Sequence, residues 1–334
     1  MVSEQVARKM RASIEAELKT TVDLVSEQPV AELRSMLAYH LGWEGEGAGA
    51  EAQGKRIRPL LTLLSADALG ADWHQALPAA AGVELLHNFS LIHDDIQDHS
   101  TARRGRPTVW GKWGIPQAIN AGDLMFTLAY QALIKLQPAE VALKATQILS
   151  QTCVRLTEGQ YLDLSYETRQ DLSLESYWLM IGGKTAALLA ACCEMGAQAA
   201  RADSYQCQAM HDFGFALGLA FQAQDDWLGI WGDVALTGKS VESDLASGKK
   251  TLPVVYAMSL NREFSRRWQT GPKTPQEVSS LAALLAEEGA GEFTQKECDR
   301  LTGEALQALE QAGCSDEGEQ NLKHLSGQLL RRSR

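Results

Sequence analysis

The chain lacks a CxxC pair. Its six cysteines (Cys153, Cys192, Cys193, Cys207, Cys298 and Cys314) show no metal-ligand or redox spacing, and they read as small buried hydrophobes in a reduced protein. No stretch approaches 18 uninterrupted apolar residues, so no integral membrane segment is expected. The first residues, MVSEQVARKMRASIEAELK, are charged and lack an apolar h-region. No signal peptide is read there, and the cytoplasm is the expected location. Positive charge is the minority sign: 31 Lys and Arg stand against 42 Asp and Glu, for a formal net charge of -11. That balance excludes a general nucleic-acid binder, whose affinity rests on neutralising phosphates. It leaves room for a local cationic pocket that takes a small anion. Period-2 strand runs with hairpin turns, short repeats and low-complexity tracts are also missing.

What is present is apolar residue at helical spacing, in a chain of 334 residues that is 45% hydrophobic. Apolar positions separated by charges run from Val6 to Leu41. WEGEGAGAEAQG (Trp43 to Gly54) is a Gly-rich break, read as a loop. Helices are expected over 59–69, where Pro59 takes a favoured early position, and over 77–98, 116–136 and 139–164. The segment MHDFGFALGLAFQAQDDWLGI is apolar on almost every side and is expected to be central and buried. TGPKTPQE (Thr270 to Glu277) reads as a loop, and the C-terminal helices as surface helices. The expected fold is one large all-α domain over residues 1–334.

HDDIQDHSTARRGRPTVW, from His93 to Trp110, sets three aspartates beside three arginines. Asp94 and Asp98 are four residues apart and share a helix face, with Asp95 about 100° round and His87 about two turns earlier. Oxygen ligands in so small a group suit Mg2+, which takes one or two carboxylates together with substrate phosphates. A second pair, Asp225 and Asp226, ends the most apolar helix, with Gln222 on the same side. Unpaired carboxylates are costly beside apolar surroundings. Two such pairs suggest facing metal-binding walls, as carboxylates do in helical bundles.

The cations come in short clusters: GKRIRP with Lys55, Arg56 and Arg58; RRGR with Arg103, Arg104 and Arg106; GGKT with Lys184 and Thr185; and TGKSVESDLASGKKTLP with Lys239, Lys249 and Lys250. Arginine grips phosphate as a planar fork and lysine as a point charge. GGKT is not a P-loop, because Trp178 stands where GxxxxGK[ST] needs its first glycine. Metal-type carboxylates, phosphate-type cations and an apolar interior together point to a diphosphate with a greasy tail. The acidic and basic clusters between His93 and Trp110 are expected to hold separate groups rather than to neutralise each other.

With GKRIRP, LIHDDIQD, RRGRPT, GGKT and FQAQDD…SDLASGKKTLP in this order, the chain resembles the trans-isoprenyl diphosphate synthases, also called the polyprenyl synthetase family. The resemblance covers roughly Gly54 to Pro253. It implies an all-α bundle around a deep cavity, a homodimer, and head-to-tail condensation of an allylic diphosphate with isopentenyl diphosphate. It implies three Mg2+ ions, two on Asp94 and Asp98 and the third on Asp225 and Asp226, with Asp95 counted in the catalytic set. Lys55, Arg58, His87 and Arg104 are then expected to hold isopentenyl diphosphate. Arg103, Lys184, Thr185, Gln222, Lys239 and Lys249 are expected to hold the allylic diphosphate. TEGQYLDL is similar to a further family helix, with Gln160 and Asp163 toward the cavity.

The resemblance also gives Phe89 and Ser90, just before the first motif, a role in setting product length. A Phe floor with a small Ser90 implies a C15 to C20 product, geranylgeranyl in preference to farnesyl diphosphate. One departure stands out: the second motif reads DDWLG, so Gly229 replaces its third aspartate, and Asp233 lies four residues beyond. Three rival readings remain at this stage. An HD-type metal phosphohydrolase would use His93 and Asp94 with His74 or His87, but would leave the second acidic helix and GKRIRP without a role. A non-catalytic subunit of a heteromeric synthase is supported by Gly229 alone. A class I terpene cyclase would have little need of Lys55, Arg58 and His87.

Overall fold

The computed structural model describes residues 4–25, 29–232, 243–268 and 274–330. Nearly all regular structure is helical. Helices α1 (Glu4–Val22), α2 (Ala31–His40), α3 (Ala50–Gln53), α4 (Ile57–Ala68) and α5 (Leu77–Gln97) are followed by α6 (Val109–Trp113), α7 (Ile115–Leu133) and α8 (Ala139–Tyr166). Then come α9 (Leu174–Ile181), a π-helical turn (Gly182–Ala186), α10 (Ala187–Ala199) and α11 (Ser204–Trp231). Shorter helices continue to Leu330. The expected starts at Pro59, Pro78 and Pro116 hold because proline occupies an early helical position, where no backbone donor is lost.

Contacts group the chain into two compact units. Unit 1 comprises residues 1–149, 192–207 and 314–322, and unit 2 comprises 150–191, 208–313 and 323–334. In unit 1, α5 runs antiparallel to α7. A side chain at Gly82 would meet Leu133, and one at Gly122 would sit 2.3 Å from the His93 ring, so these two glycines set how closely the helices approach. Leu85, Leu86, Val83 and Ile92 of α5 are fully or almost fully buried. Each such aliphatic side chain contributes about 1.5–3 kcal/mol on leaving water.

In unit 2, Tyr177, Met180, Ala220, Ala223, Leu252 and Leu301 belong to one core cluster, and Phe264, Leu285 and Val254 to another. The segment Leu174–Ala199 is long and apolar enough to cross a membrane, but it is mostly buried within the protein, as a core helix is. The helices Pro275–Glu287 and Ala290–Gln311 each bury one face through Val278, Leu281, Leu285, Leu301 and Leu309.

Two local expectations are corrected. The Gly-rich break contains a short helix, α3. RRGR is not plain loop: Ala102–Arg103 pairs antiparallel with Arg106–Pro107. Arg104 and Gly105 turn this hairpin at φ 51° and 71°, the two positive values that a tight primed turn requires. Strands of two residues are too short to leave an alternating pattern in sequence.

Candidate active site

In unit 1 the first acidic motif closes α5. Asp94 lies in the last turn and Asp98 is the C-cap residue, its amide donating to the Asp94 carbonyl at 2.8 Å. Both carboxylates therefore stay on one helix face, and Asp98 is exposed. Asp95 points elsewhere. It is 2% exposed and takes the Arg103 guanidinium, Nε to Oδ1 at 2.9 Å and Nη2 to Oδ1 at 2.8 Å. Burial pushes Asp95 up from the usual carboxylate range, and Arg103 pulls it back. The acidic and basic clusters thus do neutralise each other at this one pair, contrary to the expectation from sequence. Asp95, grouped by the sequence reading with the catalytic aspartates, is paired with Arg103 in this structure.

The arginines divide by environment. Arg56 is buried, donating to Glu15 at 2.6 Å, Glu84 at 2.7 Å and the Leu41 carbonyl at 3.1 Å. Arg106 is buried, donating to the carbonyls of Tyr39, Glu44 and Glu46 and stacking over the Tyr39 ring. Arg106 thereby ties the hairpin to the Gly-rich segment, and Arg56 ties the start of α4 to α1 and α5. Lys55 is exposed, while Arg58 reaches the His87 Nε2 atom at 3.1 Å. A guanidinium only donates, so His87 accepts there as a neutral ring and carries its proton on Nδ1. Burial, then Arg58, Arg104 and Arg103, hold His87 well below its ordinary pKa.

Arg104 donates to the Ala52 and Gln53 carbonyls at 2.8 and 3.1 Å. Burial and the neighbouring Arg56, Arg103 and Arg58 hold its pKa down, with Glu84 opposing. A pocket in this unit is lined by His40, Ala52, Asp95, Arg103 and Arg104, with Tyr39, Arg106, Pro107 and Thr108. His40 did not stand out in sequence. Burial, followed by Arg103, Arg104, Arg56 and Arg106, lowers its pKa to about 3. Crowded cations of this kind make a local positive field that favours a bound anion.

Phe89 sits edge-on to His93 at 4.7 Å and against Phe126 at 5.2 Å, and Ser90 is buried with its hydroxyl donating to the His87 carbonyl at 2.8 Å. His93 packs on Gly122, with Nε2 3.7 Å from Asp123. His74 pairs with Asp72 at 2.6 Å. Among the described residues no group of three or more His, Cys, Asp or Glu side chains converges as a metal cage. That geometry does not suit a His/Asp phosphohydrolase centre. It does suit Mg2+, which one or two carboxylates hold together with phosphate oxygens.

In unit 2 the π-helical turn carries Lys184 and Thr185. Such a bulge re-aims side chains and is frequent at functional sites. The turn lies against α8: a Cβ on Gly159 would fall 2.1 Å from the Lys184 amide nitrogen, and one on Gly183 2.5 Å from the Arg155 carbonyl. Only glycine fits at either position. Lys184 pairs with Asp163, and Gln160 is buried one turn away on the same helix. Thr185 donates to Gln222 at 2.8 Å, and Gln222 donates to Asp226 Oδ1 at 2.9 Å.

Asp226 is buried, and its Oδ2 accepts from the Tyr177 hydroxyl at 2.6 Å and the Leu252 amide at 2.8 Å. Burial raises its pKa to about 7 against those hydrogen bonds. Asp226 is thus fixed inside a polar network, while Asp225 is the exposed carboxylate of the pair. Lys249 is exposed, with Nζ 3.7 Å from Asp244. Lys239 and Asp233 lie outside the described residues, as do the end of the basic tail and the start of the 270–277 segment. Gly229 has no room for a side chain, since a Cβ there would meet Asp244 Oδ2 at 1.9 Å.

The polyprenyl synthetase family model matches residues 48–286. The chain belongs to the polyprenyl synthetase family. Within it, the chain is 39% identical over 310 residues to a (2E,6E)-farnesyl diphosphate synthase of Mycobacterium tuberculosis, covering 90% of this chain and 86% of that protein. It is 40% identical over 287 residues to a geranylgeranyl diphosphate synthase of the same organism, covering 84% and 82%. The crystal structure of a polyprenyl synthetase from Streptomyces coelicolor superposes with a TM-score of 0.88 at 37% identity, covering 96% of this chain and 98% of that one. For this synthetase, the all-α fold and the family expected from the motifs are therefore established.

Proposed function

We propose that the protein is a short-chain trans-prenyltransferase that joins isopentenyl diphosphate head to tail to an allylic diphosphate. Family membership and the farnesyl and geranylgeranyl diphosphate synthases among its relatives support that activity. The observation that carries the assignment beyond the family is the Arg58–His87 contact beside Arg104. A neutral His87 has its Nδ1 proton to offer an anion, alongside two guanidiniums and Lys55. A terpene cyclase, which ionises a single diphosphate, has no use for such a second anion site.

Mg2+ is the metal expected of the family, and three ions with both substrates bound is our proposal. Asp94, Asp98 and Asp225 would hold them, and the metal would offset charge growing on the leaving diphosphate. The chain's own groups do the rest. Arg103, aimed by Asp95, and Lys184, aimed by Asp163, bind the allylic diphosphate and stabilise its departure. Gln222 and Thr185 fix Asp226 next to Asp225. Apolar walls keep water from the allylic cation until the isopentenyl double bond attacks. The Phe89–Phe126 pair fits a floor for a C15 to C20 chain, and we favour geranylgeranyl diphosphate.

We also place the enzyme in the cytoplasm as a homodimer. Six free cysteines suit a reducing compartment. Ile115 and Ile119 on α7, and Leu143, Val154 and Tyr161 along one stripe of α8, are exposed apolar groups that a second copy could cover. Incubation with isopentenyl diphosphate and either dimethylallyl, geranyl or farnesyl diphosphate tests the activity. Elongated product is expected; a hydrocarbon formed without isopentenyl diphosphate would indicate a cyclase.

A further inference from the structure

His40, the last residue of α2, belongs to none of the motifs. Its Nε2 atom is buried and meets no hydrogen-bond partner among the described residues. Buried polar side-chain atoms are nearly always bonded, so one that is not calls for a physical reason. The ring lines a pocket of unit 1 together with Asp95, Arg103, Arg104 and Arg106. Its pKa of about 3 keeps it neutral, with one N–H and one lone pair.

The neighbours decide which of the two sits on Nε2. Guanidiniums only donate, so a lone pair beside three arginines has donors at hand. An N–H in the same place needs an acceptor, and the acceptors of the lining are taken. Both Asp95 oxygens accept from Arg103 Nε, at 2.9 and 3.0 Å. The Ala52 carbonyl accepts from Arg104, the Tyr39 carbonyl from Arg106 and the Pro107 carbonyl from the Tyr39 hydroxyl. The orphaned nitrogen is thus a donor, in a pocket whose donors outnumber its acceptors. What fits there is an anion with several oxygens. Arg104 shows which anion: its guanidinium lies flat over Gly54, where a Cβ would be 3.0 Å from its Cζ, immediately before Lys55. His40 is also close enough to His87 for their charges to oppose each other.

We propose that His40 is a further binding residue for isopentenyl diphosphate, its Nε2–H donating to an oxygen of the diphosphate that Arg104 also holds. The ring adds a neutral donor from α2 to cations supplied by the start of α4 and the hairpin. The inference rests on the prenyltransferase reading for the identity of the ligand.

Calorimetric titration of isopentenyl diphosphate into the full-length protein, without Mg2+ or primer, tests this, since a site built of cations and N–H groups needs no metal. His40→Leu removes the donor and is expected to weaken binding ~10–100-fold, the scale of a hydrogen bond to a charged group. His40→Gln keeps an N–H at similar reach and is expected to stay within a few-fold of the wild type. In steady-state assays, KM for isopentenyl diphosphate should rise in His40→Leu while KM for geranyl diphosphate holds. A folded His40→Leu protein with wild-type affinity would overturn the inference. So would equal losses for both substrates, or a Gln variant as weak as the Leu one. Nitrogen NMR of the histidine rings needs no folded Leu variant: the His40 Nε2–H signal, assigned by its loss in His40→Gln, should move with isopentenyl but not with geranyl diphosphate. An unmoved signal, with elongated product from the wild type, refutes the inference alone. Weakened isopentenyl diphosphate binding in His40→Leu, with no product from the wild type on any primer, refutes the prenyltransferase reading alone.

Discussion

Arg103 holds Asp95 through Nε and Nη2, at 2.9 and 2.8 Å, so that the first acidic motif and the basic motif after it are locked together by one ion pair. Asp95 is 2% exposed and Arg103 about a third exposed, so the cost of breaking the pair falls on the aspartate. Arg103→Ala is expected to lower unfolding stability by about 2 kcal/mol, the scale of a buried charged group left unsatisfied. It should also reduce turnover if Arg103 binds the allylic diphosphate as we propose. Urea unfolding checks the first expectation, and an unchanged midpoint would contradict it.

The glycines under Lys184 give a second prediction. Gly159→Ala places a methyl group 2.1 Å from a backbone nitrogen, where no flexible side chain can move aside. Overpacking of this kind costs about 1–3 kcal/mol. The π-helical turn must shift, and Lys184 with it. Turnover should fall far more than in Gly303→Ala, where a Cβ meets nothing. Steady-state kinetics of the two variants make the comparison.

His40 makes stability depend on pH in a definite direction. Its folded pKa is about 3, against about 6.5 for an ordinary histidine. Between those values the unfolded chain binds a proton that the folded one refuses, so stability falls as pH drops below about 6.5 and is flat above it. His87, also lowered, acts in the same sense. Asp226, raised to about 7, acts oppositely, losing stability as pH rises through that value. His40→Gln isolates the first effect: the drop in urea midpoint from pH 7.5 to 5.5 should be smaller than in the wild type.

Product length is expected to follow the aromatic contact in α5 and α7. Phe89→Ala removes the ring that meets Phe126 at 5.2 Å, and longer prenyl diphosphates should appear on chromatography. An unchanged product profile would sink the floor assignment.

Much of this was legible beforehand, for identifiable reasons. The span of α5 and the shared face of Asp94 and Asp98 follow from helical period and an early proline. The division of labour among the arginines does not. Arg56 and Arg58 look alike in GKRIRP, yet one is buried between Glu15 and Glu84 and the other meets His87, because those partners lie far away in sequence. The same holds for Asp226 and Tyr177, and for Gly229 and Asp244. His40 carries no motif at all and is singled out only by the arginines around it. Sequence order locates the helix-borne groups, whereas contacts between distant segments decide which of them remain available to a ligand.

The central claim is Mg2+-dependent chain elongation, and one measurement reaches it most directly. Purified protein is given Mg2+, isopentenyl diphosphate and an allylic primer, and both the released diphosphate and the product chain length are followed. The account predicts one diphosphate released per isopentenyl unit consumed, a C15 to C20 prenyl diphosphate, and loss of both signals with a chelator or in Asp94→Ala. Release of phosphate or a hydrocarbon without consumption of isopentenyl diphosphate, or no elongated product from any primer, would contradict it.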